Sequence, residues 1–182
     1  MNEELSFAKR FWGHLTTITQ HIHMVHIHCF RMGLYKQGIM HDLSKFSPIE
    51  FWSGVKYYQG YRSPIDKEKE LFGYSEGWLH HKGRNKHHWE YWIDRTFGEI
   101  KPVKMPFIYV CESVCDRLAA CKIYQKDKYT DASALEYFMN GTDRKLMNQE
   151  NVPEFERLLG YFKEYGEEEA FRMIKKELQQ LR

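Results

Sequence analysis

Glu4 to Gln37 reads ELSFAKRFWGHLTTITQHIHMVHIHCFRMGLYKQ, and its apolar side chains Phe7, Phe11, Leu15, Ile18, Ile22, Val25, Cys29 and Met32 recur every three or four residues. That interval follows the 3.6-residue turn of an α-helix rather than the alternation of a half-buried strand. The stretch predicts one long helix or two shorter ones, stopping near Gly33 or Gly38.

Working outward, His41 to Ser47 reads as a helix start or short turn. Ser47-Pro48-Ile49-Glu50 then supplies an N-cap, a proline at the first helical position and an acid two residues on, for a helix running to about Tyr58. Gln59 to Gly73 mixes Gly, Ser, Pro and charges without period and predicts a surface loop. Tyr74 to Trp92 reads as helical at both ends with a break at Gly83-Arg84-Asn85. Lys101 to Pro106 is a linker, and Phe107 to Lys126 is a strongly apolar helix carrying Val110, Val114, Leu118 and Cys121. Asp131 to Arg182 predicts three shorter amphipathic helices separated near Asn140-Gly141 and Gly166. In it Tyr137, Phe138, Phe155, Leu158, Leu159, Phe162, Phe171 and Ile174 either complete a bundle or form the face of a homo-oligomer, core packing being preferred. The expected fold is all-α, a helical bundle in one domain spanning residues 1–182.

Composition narrows the classes. With 27 basic against 25 acidic side chains the net charge is +2, too weak a field to signal nucleic-acid binding. Cys29, Cys111, Cys115 and Cys121 form no CxxC pair, so neither a zinc knuckle nor a disulfide framework is indicated. Met1 to Glu4 shows no basic n-region or apolar h-region, and no run of ~18 apolar residues follows. A cytoplasmic protein without a membrane span is expected.

All 10 histidines fall between His14 and His88. Adjacent His41 and Asp42 can both reach one divalent cation, and the carboxylate can bridge two. Asp116 stands in a stretch so apolar that its charge needs a partner, either a cation such as neighbouring Arg117 or a metal. His80-His81 and His87-His88 are pairs seven residues apart, which a continuous helix would aim the same way.

The order His, His-Asp, His, His, Asp resembles the HD superfamily of metal-dependent phosphohydrolases. More narrowly, His41-Asp42-Leu43-Ser44-Lys45-Phe46-Ser47-Pro48, the segment from Trp78 to Trp92, and Cys115-Asp116-Arg117-Leu118-Ala119-Ala120 look like a bacterial and phage family of unknown function. That likeness runs from about Phe11 to Tyr124. It implies an HD-domain-like helical bundle whose metal-site core covers about residues 11–124, with residues 131–182 completing the bundle. It also implies one or two divalent ions (Mn, Fe, Zn, Ni or Co) held by His21, His41, Asp42 and Asp116, with His81 and His88 on a second ion. His21 is preferred to His28 as the first ligand. Where the family more often has an aromatic after the Asp and a Met three residues before it, this chain has Arg117 and Ser113, so the pocket wall there is expected to differ.

Lys45, three residues after Asp42, matches the HDxxK variant and is expected to act with Asp42 in catalysis by offsetting charge on a phosphoryl group. Arg84, Asn85 and Lys86, with His80 and His87, are the expected substrate contacts. The reaction expected is hydrolysis of a phosphoester of a nucleotide or small phosphorylated metabolite through a metal-activated water. The alternatives are an HD-type di-iron oxygenase and a non-catalytic, metal-stabilised binding protein.

Overall fold

The computed structural model describes residues 5–181. Met1 to Glu4, on which the reading of a missing targeting segment rests, and Arg182 lie outside them. Among the described residues the chain forms nine α-helices, three short 3-10 turns and one two-stranded hairpin.

Helix α1 (Phe7–Met32) is the single long helix of the two readings above. Its Ser6 hydroxyl accepts from the Lys9 amide, and Gly33, at φ 79°, supplies the left-handed stop. The buried stripe is His14, Ile18, His21, Val25, His28, Cys29 and Met32, while Leu15 and Ile22 are only half-buried. The stripe is thus turned from the purely apolar pattern toward His14, His21 and His28.

Helix α2 (Tyr35–Met40) ends at His41, and a 3-10 turn (Leu43–Phe46) leads to α3 (Pro48–Tyr57), where Ser47 Oγ accepts from the Glu50 amide as the capping pattern requires. The region read as a loop from Gln59 to Gly73 contains a further helix, α4 (Pro64–Phe72). Its charged sequence hid the period, but Ser63 caps it, Pro64 starts it, and Gly73 at φ 79° ends it. Helix α5 (Glu76–Lys82) stops at the Gly83 break, and Trp89–Trp92 forms a 3-10 turn.

The all-α expectation holds for the architecture, with one local exception. Strands β1 (Ile93–Thr96) and β2 (Glu99–Pro102) pair antiparallel around Phe97-Gly98, Thr96 facing Glu99 and Ile93 facing Pro102. The linker read from Lys101 therefore begins inside a strand. Both turn residues have positive φ, 52° at Phe97 and 89° at Gly98, the backbone of a tight hairpin turn.

Helix α6 (Phe107–Gln125) is buried on several sides, from Val110 through Cys115, and lies against α1, α7 (Ser133–Asn140) and α9 (Val152–Gln180). The short α8 (Asp143–Leu146) links α7 to α9, and α9 bends at Gly166 (φ 74°, ψ 169°), the separation read there. One continuous apolar cluster joins Val25, Met32, Val114, Leu118, Phe138, Phe155, Phe162, Phe171 and Ile174. The C-terminal packing positions therefore complete the core, except Tyr137, which is 63% exposed. Helices α3, α4 and α5 form a second group resting on α1 through α3. His21, His41, His81 and His87 meet between that group and the α1–α6 core. No helix among the described residues is long and apolar enough to cross a membrane.

Candidate metal centre

Asp42 is the hub. It caps the 3-10 turn with a left-handed backbone, φ 55° and ψ 19°, and its side chain is fully buried. A non-glycine residue held there costs on the order of 1–3 kcal/mol and is found where surrounding contacts over-determine it.

Each carboxylate oxygen of Asp42 faces a different histidine pair. Oδ2 lies 3.4 Å from His21 Nε2 and 3.3 Å from His41 Nε2. Oδ1 lies 3.2 Å from His81 Nε2 and 3.4 Å from His87 Nε2. Asp116, on α6, closes the first side, its Oδ1 standing 2.9 Å from His21 Nε2 and 3.6 Å from His41 Nε2. Two groups of potential ligands result, His21-His41-Asp42-Asp116 and Asp42-His81-His87-His88, each with one donor atom per residue and all donors within 4.8 Å of one another.

Asp42 Oδ1 and Oδ2, and Nε2 of His21, His41, His87 and His88, are buried without a well-formed hydrogen bond. Buried polar atoms are rarely left so, since each costs roughly 1–3 kcal/mol. Ligand atoms bound ~2.1 Å from a common cation stand roughly 3.0–3.4 Å from one another, close to the separations around Asp42. Nitrogen and carboxylate donors suit manganese, iron, cobalt, nickel or zinc. The residues therefore fit one or two such ions.

Two further carboxylates stand behind the histidines. Glu112 Oε1, on α6, accepts from His41 Nδ1 at 3.0 Å and His87 Nδ1 at 3.1 Å. Glu50, on α3, accepts from His80 Nδ1 at 2.5 Å through Oε1 and from His81 Nδ1 at 2.7 Å through Oε2. His41, His87 and Glu112 could themselves group around an ion. However, their Nδ1 atoms already have hydrogen bonds, whereas the unsatisfied Nε2 atoms of both rings face Asp42.

The electrostatics follow this arrangement. Burial opposes a charged His41, but Asp42, Asp116 and Glu112 outweigh it and raise its pKa well above the ordinary value. Burial likewise opposes ionised Asp42, yet His41, Lys45 and His81 hold its carboxyl well below the usual range. Asp116 is held down in the same way by His21 and His41. Burial first, then neighbouring His87 and His81, pushes His88 well below the ordinary imidazole value and keeps it neutral, the form in which an imidazole can bind a metal.

The remaining candidates divide. Lys45 Nζ lies 2.6 Å from Asp42 Oδ2 with its side chain 23% exposed, and Asp116 is 17% exposed, so the cluster opens on that side. His87, expected among the substrate contacts, instead turns its Nε2 to Asp42. His80 faces Glu50. Asn85 donates to Ser44 Oγ and to the His81 carbonyl, both at 2.8 Å, and so reverses the chain after α5 to bring His87 and His88 back. Arg84 and Lys86 are not brought to the cluster: Arg84 is exposed and donates to the His80 carbonyl, and Lys86 lies over the rings of Tyr91 and Tyr109. His28, the rival of His21, approaches the Cys115 carbonyl and Lys122 instead.

Sequence reading missed Glu112 and the role of Glu50. Glu112 lies one helical turn before Asp116 in the same apolar stretch, a second carboxylate on one face that could have been noticed. Glu50 was accounted for as a capping acid, which concealed its second partner set.

No curated protein and no solved structure matches the chain. A family's sequence profile matches residues 10–160, a span that includes every residue of the cluster, and the chain belongs to that family, DUF5662, a family of unknown function.

Proposed function

We propose that the protein is a metal-dependent hydrolase of a phosphoester in a nucleotide or small phosphorylated metabolite, working at a centre of two divalent ions. The observation that carries this reading is that Nε2 of His21, His41, His87 and His88, buried without a hydrogen bond, gather in two groups around the Asp42 carboxylate. The resemblance of the ordered His, His-Asp, His, His, Asp set to HD phosphohydrolases supports it.

In this reading His21, His41, Asp42 and Asp116 would hold one ion, and Asp42, His81, His87 and His88 would hold another. Bound there, such ions lower the pKa of a coordinated water toward ~7 and polarise a phosphoryl oxygen. Lys45, kept protonated by Asp42 and Asp116 against the effect of burial, stands at the open side to receive charge on the phosphate.

The test is elemental analysis of untagged protein, followed by a panel of phosphoesters. About two ions per chain in wild type, lost in folded Asp42→Ala and reduced in folded Asp116→Ala, together with metal-dependent phosphate release, is the expected outcome. Iron with oxygen uptake and no phosphate release would favour the di-iron oxygenase. Metal without either activity would favour a metal-stabilised binding protein, and a metal-free wild type after reconstitution would remove the metal reading.

A further inference from the structure

Each histidine pair around Asp42 is backed by carboxylate, but the two backing residues are not equivalent. Glu50 reaches His81, which faces Oδ1 of Asp42, and spends its other oxygen on His80. Glu112 reaches His41, which faces Oδ2, and also His87, which faces Oδ1. One oxygen of one side chain therefore touches a histidine on each side of the bridging carboxylate.

We infer that Glu112 is a positioning residue shared by both ion sites and couples their occupancy, whereas Glu50 serves only the site containing His81, His87 and His88. This rests on the metal reading above. A carboxylate accepting from Nδ1–H fixes the tautomer with its lone pair at Nε2, aims that lone pair and makes the ring a stronger donor. Because Glu112 does so for His41 and His87 together, fixing His41 toward Asp42 Oδ2 also orders the carboxylate that aims His87 toward Oδ1. His41 and His87 rings pack with centroids 4.3 Å apart, so neither can turn independently. His80 holds no comparable place: among the described residues its side chain's one polar contact is Glu50, and its role is to hold the free oxygen of that carboxylate.

The discriminating experiment adds cobalt(II) stepwise to metal-free full-length protein, following the ligand-field absorption bands and the affinity of each binding phase. Wild type is expected to show two phases. Glu50→Gln places a carboxamide N–H against one imidazole N–H, and is expected to weaken one phase about 10–100-fold, the range for loss of such backing groups, and leave the other within about twofold. Glu112→Gln is expected to weaken both phases about tenfold or more and shift both sets of bands. Glu112→Asp, which keeps the charge but shortens the reach, is expected to do the same and serves if the Gln variant does not fold. His80→Gln is expected to leave both phases within about threefold.

Two phases in wild type with only one affected by the Glu112 variants would overturn the coupling, as would Glu50→Gln weakening both equally. Loss of a phase in folded His80→Gln would make His80 a ligand and overturn its role here. A wild type that takes up no cobalt, or takes it up in one phase, would remove the two-ion reading itself, and the coupling with it.

Discussion

Lys45 and Asp42 sit 2.6 Å apart in a setting that disfavours either charge alone, and each holds the other ionised. Replacing Lys45 by Met removes a cation from beside a proposed ligand. Lys45→Met is therefore expected to bind divalent metal at least as tightly as wild type while losing about 10²–10³ in kcat for phosphoester hydrolysis. Parallel metal-binding and turnover measurements check this, and an unchanged kcat would remove Lys45 from the chemistry.

His14 and His28 make a different kind of prediction. Burial, followed by Lys45 for His14 and Lys122 for His28, lowers both pKa values to about 4 from 6.5. The folded protein thus keeps both rings neutral where the unfolded chain would protonate them. Their contribution is fully present above pH 6.5 and is lost as pH falls toward 4, by roughly 2 kcal/mol per histidine between pH 7 and 5. Urea unfolding at the two pH values measures it. His28→Leu is expected to flatten the slope by about that amount, and an unchanged slope would refute the assignment.

Gly54 of α3 lies against His14 of α1, where an added Cβ would overlap the His14 ring. Gly54→Ala is expected to force His14 and α3 outward and cost about 1–3 kcal/mol, the usual range for overpacking. Since α3 also carries Glu50, the same variant should weaken metal binding at the His81 side. Thermal melting and metal affinity should therefore change together, and a lower melting temperature with unaltered affinity would separate α3 placement from the site.

The element boundaries show what sequence could convey. Ser47 and Gly33 marked helix ends correctly because capping is local, a matter of one side chain and a few amides. Helix α4 was missed because its exposed, charged turns carry little apolar period. The hairpin was missed because its residues are largely exposed and show no buried alternation.

Across the molecule, the candidate ligands come from α1, the end of α2, α5, the turn after it and α6, so an ion at the cluster would tie the α3–α5 group to the α1–α6–α9 core. Metal should then stabilise the whole fold by mass action, by about 4 kcal/mol when free metal is 1,000 times its Kd. Calorimetry is expected to show a melting temperature that falls on chelation, rises again with added metal, and no longer responds in Asp42→Ala. A response preserved in that variant would place the stabilising metal elsewhere.

The sequence by itself determined the helical class and several helix ends, because period and caps are written in neighbouring residues, while the grouping of His21, His41, Asp42 and Asp116 was what the resemblance to HD phosphohydrolases implied. Only the tertiary structure decided that His81 rather than His80, and both His87 and His88, stand with Asp42. The Gly83–Asn85 turn breaks helical phase, so spacing no longer predicts direction, and Asn85 bonding to Ser44 and the His81 carbonyl sets the return path. The backing roles of Glu50 and Glu112 were likewise tertiary. A carboxylate's partner across a helix interface depends on how α1, α3, α5 and α6 pack, and that packing is fixed by the summed burial of residues far apart in the chain.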